Sequence, residues 1–578
     1  MLFLTDRHYT GHRLHHHMQG DSPMATKKSA KKKAVKKRAV NKALAKKRPA
    51  PKPTKKKVKA SKAATKKTAA PKKKAVAQKI AGRKPAVKKK AAKPKAAKTV
   101  TIRLPSPATI TSPVTPPEPT RPDPIKHVIV LMFENHSFDQ MLGCFTPAGA
   151  DGVDPANPRS NKDSTGTEYS QRESNNAVVS PDPKHELEHI LNQLKDGNSG
   201  FVSEYEKEYP NTTLEQRQRI MDYFGMGDLP ALHELARHFT ICDHWYSSVP
   251  GPTWTNRFFV HSGTSLGRVK MPGGLIPHPS LYAGYVQDTI YDRLNDKVIP
   301  WRIYHGDVPQ SLVLSHQRER LNLLNYEWLD QFYADAGGQE KDFPAYVFIE
   351  PNYFHIPFEQ PQNDDHPPHS TIPAQALLGK VYNELRANAD LWNSTLLVVL
   401  YDENGGFYDH LEPPAAVPPD EYHTEWSFDR LGVRVPALLV SPWVGQGVLS
   451  TEFDHTSLLK YLTDKWGLGP LTERVQQARS FVEAIRTTGQ PRSDTPESVP
   501  VPALMRAVKA DVAEEPEELN ENQKALFAFT DYLEQQTALP AVPQVVAAAA
   551  GPGAQAKLAK DRVRAFMAEK KALLGGPQ

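Results

Sequence analysis

Two apolar runs in this 578-residue chain end in residues able to hold a cation. HVIVLMF (127–133) runs into Glu134 and Asn135, and TLLVVLY (395–401) runs into Asp402 and Glu403. As buried strands of an open α/β sheet, both would deliver these side chains to carboxyl ends, where such sheets bind ligands. Three carboxylates and an amide carbonyl are hard oxygen donors. Together they suit one divalent ion, Mg, Ca or Mn, with Zn tolerated. Either pair alone reads equally well as a strand end capping the next helix; the two together favour an ion site.

A third segment, SVPGPTWTNRFFVHSGT (248–264), adds a hydroxyl. Gly251 and Pro252 predict a turn, and Thr253 then stands as an N-cap before a helix starting near Thr255. Backbone N–H groups at a helix start attract phosphate oxygens. A threonine there is usually only a cap. Beside a metal ion, however, its hydroxyl can become a nucleophile while the ion polarises a phosphoryl oxygen. Asn256 and Arg257 follow it, and Arg257 could pair with phosphate or bridge to a core carboxylate.

The elements needed to position these groups are legible as alternating patterns. Apolar runs at 127–133, 301–306, 343–351, 395–403 and 435–444 predict strands. Helical patterns fall around PALHELARHF, PAQALLGKVYNELRANAD and HTSLLKYLTDKWG. The expected fold class is α/β, a largely parallel central sheet between helices. The domain reading is a basic arm at 1–103, a Pro-rich linker at 104–124, a catalytic domain at 125–495, and an Ala/Pro-rich end at 496–578 with two helices, read as peripheral packing or tail.

Charge divides the chain sharply. Residues 1–103 hold 35 Lys and Arg against Asp6 and Asp21, a net +33, which leaves −23 on the other 475. The arm is Lys, Ala, Pro and Val with few aromatics, a composition expected to stay disordered. It resembles a linker-histone tail. Its charge suits DNA, RNA, polyphosphate or an anionic membrane surface, bound in a salt-dependent way; the alternative is a solubilising tail with no dedicated partner.

MLFLTDRHYTGHRLHHH breaks its apolar run after four residues and offers no small-residue cleavage site, so it does not read as a secretory leader. Met24 is a candidate start, which would make His15, His16 and His17 no part of a metal site. No run approaches the roughly 18 apolar residues of a membrane span. Cys144 and Cys242 are too few for a disulfide framework. The expectation is a cytoplasmic protein, with association with the nucleoid through the arm as a variant.

ENHSFDQMLG (134–143), GPTWTNR (251–257), NDDHPPHS (363–370), YDENGGFYDH (401–410) and DHTSLLKYL (454–462) together resemble the successive motifs of the phosphoesterase family, which includes bacterial phospholipases C and an acid phosphatase. The resemblance implies an alkaline-phosphatase-like fold, a metal ion on Glu134, Asn135, Asp402 and Glu403, Thr253 as nucleophile, and histidines handling protons. His185, His366 and His410 are the candidates for that work, with His455 a fourth contact to substrate alongside Asn256 and Arg257; a lone histidine is as often structural. His136 and Thr255 stand where the family commonly has Arg and Pro. The implied activity is hydrolysis of phosphate esters through a covalent phosphothreonine, first as a phospholipase C, second as an acid phosphatase on monoesters. A polyanion-binding protein with a silent body is the alternative from another class.

Overall fold

The structure, a computed structural model, describes residues 123–272, 282–319, 321–503, 518–538 and 551–574. All of these lie in one compact unit, Thr111–Gln578. The basic arm, and all but the last two residues of the linker, lie outside the described residues.

Eight strands form the main sheet: β1 (His127–Phe133), β2 (Thr240–Ile241), β3 (Trp301–His305), β4 (Tyr326–Trp328), β5 (Tyr346–Glu350), β6 (Thr395–Tyr401), β7 (Ala437–Val440) and β8 (Gly447–Val448). Their spatial order is β8-β2-β7-β6-β1-β5-β3-β4. From β6 through β4 every pairing is parallel, whereas β7 runs antiparallel to both β6 and β2. The fold is therefore α/β with a largely parallel central sheet, as the alternating patterns predict. β1 and β6 are buried at every position, which explains why they read as continuous apolar runs without alternation.

Register brings the two acidic strand ends together. β1 and β6 are neighbours, and Phe133 lies opposite Tyr401, so Glu134 and Asp402 leave the sheet side by side. The Asp402 N–H donates to the Phe133 carbonyl at 3.1 Å, extending the ladder one step beyond the strands.

The helices include α1 (Phe138–Leu142), α2 (Thr253–Ser262), α3 (Ile372–Ala387), α4 (His455–Trp466), α5 (Glu521–Glu534) and α6 (Pro552–Leu573). α4 starts at a capping box in which the Asp454 carboxylate accepts from the Thr456 N–H and Ser457 reaches back to the cap. α5 starts at a second such box, Asn520 with Gln523. α5 is deeply packed: Leu526, Phe529 and Leu533 belong to the main apolar core. The described helix α5, in a stretch read from sequence as peripheral packing or tail, thus supplies part of the interior.

Among the described residues no helix is long and apolar enough to cross a membrane.

Candidate active site

Glu134, Asn135, Asp402 and Glu403 converge, all fully or almost fully buried. The Asn135 amide donates to Glu403 at 2.9 Å, tying the end of β1 to the end of β6. Glu403 also accepts from the Gly405 N–H at 2.7 Å. Gly405 has φ of +61°, and a Cβ there would lie 2.0 Å from the Asn135 carbonyl oxygen. Only glycine allows this loop to fold back so closely on Asn135.

The turn at 248–252 is braced by Asn256, whose amide donates to the Gly251 carbonyl at 2.8 Å and whose oxygen accepts from the Val249 N–H at 3.0 Å. Asn256 is thereby committed to shaping the turn before α2. Thr253 is itself the first residue of α2, with Pro252 as the cap, so its hydroxyl is not the N-cap expected from sequence. Proline at the cap and a fixed turn leave that hydroxyl available for other work.

One turn further along α2 stands Arg257. Its Nε donates to Asp402 at 3.1 Å and lies 3.3 Å from Glu134, while its Nη2 donates to the Met132 and Phe133 carbonyls at 3.3 Å. Its plane also faces the Tyr353 ring. Of the two roles read from sequence, the bridge to core carboxylates is the one occupied.

Electrostatics here are dominated by burial. Burial raises the Glu134 carboxyl well above the usual range, with Arg257 opposing. Asp402 is pushed up to about 6 and Glu403 to about 7 for the same reason, opposed by Arg257 and His185 respectively. Buried Asp364 is raised as well. Four acids against one guanidinium and one imidazole leave a shortage of positive charge, the demand that a bound divalent ion meets. Asn135 Oδ1 and Asp364 Oδ2 are buried with no hydrogen-bond partner among the described residues. The donors present therefore fit a hard cation.

His185 and His366 join the same cluster. His185 Nδ1 donates to the Pro183 carbonyl at 2.8 Å, which turns Nε2 toward Glu403 at 3.7 Å and Asn135 at 3.4 Å. Burial disfavours its charge, but Glu403, Asp182 and Glu186 outweigh burial and raise it to about 9. His366 lies 5.4 Å away between ring centroids, its Nε2 buried and unpartnered among the described residues. Burial, reinforced by His185, lowers its basicity well below the usual value. Asp182, His185 and His366 each present a donor atom within 4.8 Å of the others, a second grouping able to hold a metal ion.

His455 and His410 are placed differently. His455 Nε2 donates to the Asp402 carbonyl at 2.6 Å and its Nδ1 accepts from Trp245 at 3.3 Å, so both ring nitrogens are engaged in holding the strand end. His410 belongs to another group, with buried Asp139 at 2.9 Å, exposed Asp151 at 3.1 Å, and Arg434 bridging Asp139 and Asp409. His136 is stacked on Phe407 and bonded to Gln140 and the Asp365 carbonyl, and Thr255 bonds the Arg268 carbonyl. Neither departure from the family pattern touches a candidate ligand.

Besides Asp182 of that second grouping, two site residues escaped the sequence reading. Asp364 lay in view inside NDDHPPHS, beside His366. Asn522 comes from α5, where its amide donates to both oxygens of Glu134 at 2.9 and 3.1 Å, and its own oxygen accepts from the Trp254 indole at 2.9 Å. The capping box at 520–523 marks a helix start there, but nothing in the sequence says where that start points.

The Phosphoesterase family model matches residues 125–469. Non-specific phospholipase C3 of Arabidopsis thaliana is 33% identical over 441 residues, 70% of this chain and 81% of that protein. Non-specific phospholipase C6 of the same plant is 34% identical over 413 residues, 67% and 77% of the two chains. Non-hemolytic phospholipase C of Pseudomonas aeruginosa is 27% identical, covering 60% of this chain and 54% of its own. A solved protein of the alkaline phosphatase superfamily from Vibrio parahaemolyticus superposes with a TM-score of 0.30 at 11% identity, over 73% of this chain and 91% of that one, a likeness too slight to argue from. With the family model spanning more than half of its length and plant relatives a third identical, the chain belongs to the phosphoesterase family and is a hydrolase of phosphoric esters.

Proposed function

We propose that this enzyme cleaves phospholipids in the manner of a phospholipase C, with Thr253 as the nucleophile. The observation that carries this reading is the i, i+4 relation of Thr253 and Arg257 on α2. Arg257 is fixed between Glu134 and Asp402, so Thr253 stands one helical turn from the acidic cluster, at the helix start whose free N–H groups would receive a phosphate. Glu134, Asn135, Asp402 and Glu403 would hold one divalent ion, which when bound neutralises phosphoryl oxygens and favours the ionised threonine hydroxyl.

The chain's own groups supply the rest. Thr253 Oγ forms a bond to phosphorus as the bond from phosphorus to the diacylglycerol oxygen breaks. One histidine of the His185–His366 pair takes the threonine proton and the other protonates the departing oxygen. Water then attacks the phosphothreonine; its hydroxyl stays on phosphorus, both proton transfers reverse, and the phosphorylated headgroup leaves. The names of the plant and bacterial relatives support a lipid substrate.

A panel of phosphatidylcholine vesicles, a nitrophenyl phosphomonoester and nucleotides, with acid-quenched samples mapped for phosphothreonine, tests this. Diacylglycerol release with label on Thr253 is expected. Turnover of the monoester with phospholipid left intact would instead favour an acid phosphatase.

A further inference from the structure

The loop that follows β5 is pinned at both ends to the site and carries an unusual tip. At one end Tyr353 faces Arg257 and its carbonyl accepts from Gln523 at 2.8 Å; at the other, Gln362 donates to Asp364 at 2.7 Å. The Asn363 N–H closes the loop on the Asn352 carbonyl at 3.0 Å. Between these anchors the backbone pairs Ile356 with Gln360, and Phe358 sits at the apex of the resulting turn. Phe358 is 92% exposed and has φ of +63°. A large ring held out in water, on a backbone region that disfavours side chains, is a costly arrangement of the kind that functional tips carry.

Cations outnumber acids beside it, Lys557, Lys560 and Arg564 against Glu359 and Asp561. Lys557 of α6 pairs with Glu359, Lys560 donates to Gln360, and Lys560 and Arg564 lie over the Trp328 ring at 5.7 and 5.1 Å. Lys557 and Arg564 remain more than half exposed. Trp328 is the last residue of β4, while Lys571 reaches the carbonyl of Tyr326, its first. The N-terminal half of α6, with these cations, therefore lies at the carboxyl edge of the sheet, the same edge that carries Glu134 and Asp402.

An exposed ring, flanked by a half-buried tryptophan and by cations on long stems, has the chemistry of a group that enters a bilayer interface. We propose that the turn at 356–360 seats the enzyme on a phospholipid surface, Phe358 entering the acyl boundary while Lys557, Lys560 and Arg564 meet lipid phosphates. This deepens the phospholipase reading and rests on it. Docking at this rim presents the headgroup plane to the carboxyl edge where the catalytic cluster lies. It also gives the closed loop a purpose: Tyr353 and Gln362 anchor the two ends of the turn against the site.

The test uses the full chain and its Phe358→Ala and Phe358→Trp variants, with phosphatidylcholine vesicles containing or lacking phosphatidylserine. Vesicles with brominated acyl chains should quench the emission of Phe358→Trp more than that of the parent. Phe358→Ala should hydrolyse vesicle lipid about tenfold more slowly, while its turnover of a short-chain, monomeric phosphatidylcholine stays within about twofold of the parent. Equal quenching in parent and Trp variant, or equal vesicle turnover in parent and Ala variant, overturns the docking proposal and leaves the phospholipase reading intact. Failure of every form to cleave even the monomeric lipid counts against the substrate reading instead, and the quenching result then decides docking by itself.

Discussion

The amide of Asn522 donates to both carboxylate oxygens of Glu134, at 2.9 and 3.1 Å, from a helix more than fifty residues beyond the span matched by the family model. Because Trp254 in turn donates to Asn522, one buried side chain fixes both a candidate metal ligand and the residue next to Thr253. Asn522→Ala should lower affinity for a divalent ion by about 10–100-fold, the usual cost of losing a group that orients a ligand. Asn522→Asp should do worse, since it sets a carboxylate against a carboxylate. Calorimetric titration of the ion, read beside kcat and KM, checks this; unchanged affinity in both variants would make Asn522 a packing residue only.

Thr253→Ala should lose about 10³-fold or more in turnover while keeping its affinity for metal, because the oxygen donors at the strand ends are untouched. Pro252, not the Thr253 hydroxyl, caps α2, so the helix should persist at a cost of about 1 kcal/mol for the lost methyl group. Thr253→Ser should recover part of the rate. Near-parental turnover in the alanine variant would transfer the attack to water.

Among the described residues Arg257 is the one guanidinium paired with both Glu134 and Asp402, and it is wholly buried. Replacing it by Met strands two carboxylates, an uncompensated charge that typically costs about 3–5 kcal/mol. Added divalent ion should then raise the melting temperature of Arg257→Met more than that of the parent, since ion and guanidinium neutralise the same acids. Equal ion-induced shifts would mean that the two positive charges act at separate places.

Removing the ion should mimic part of that loss. A ligand held at about a hundred times its dissociation constant stabilises the native state by about 2.7 kcal/mol. Chelator should therefore lower the melting temperature of the parent and leave Asp402→Ala almost unmoved. An equal drop in both would place the ion elsewhere, with Asp182, His185 and His366 the next group to test.

How much of the site is legible in the sequence depends on the physics of each element. β1 and β6 are buried on both faces, so their residues form uninterrupted apolar runs, and parallel pairing forces their acidic ends to the same edge. That much needs no coordinates. Thr253 is legible as the start of a helix, yet the sequence places that start two residues late, because a Gly-Pro turn sets φ without saying which residue completes the first helical turn. His410 and His366 look alike in sequence, each beside an aspartate. Only packing separates them, one against Asp139 and Arg434 and the other against His185. Asn522 is out of reach for a different reason: its partner lies 388 positions away, and a polar residue in the first turn of a helix has no local signature of what it faces.

The placement of His410 carries the last prediction. Burial opposes its charge, but the hydrogen bond and charge of Asp139, helped by Asp409, overcome burial and raise it to about 9, with Arg434 pulling the other way. In the unfolded chain an imidazole titrates near pH 6.5. A group whose folded pKa is the higher one stabilises the fold fully below the unfolded value and loses that contribution as pH rises through the folded value. His410→Gln should therefore be less stable than the parent by about 1–3 kcal/mol near pH 6, and the deficit should shrink steadily between pH 7 and 9.5. Denaturant melts of both proteins across that range measure it directly. Kinetics on a monomeric ester separate this role from chemistry: a structural His410 leaves kcat within a few-fold at pH 6, whereas a proton donor to the leaving group would cost the variant about 10²-fold or more. A stability deficit that does not change with pH, joined to such a loss of kcat, would return His410 to the catalytic group from which its bonds to Asp139 and Asp151 now separate it.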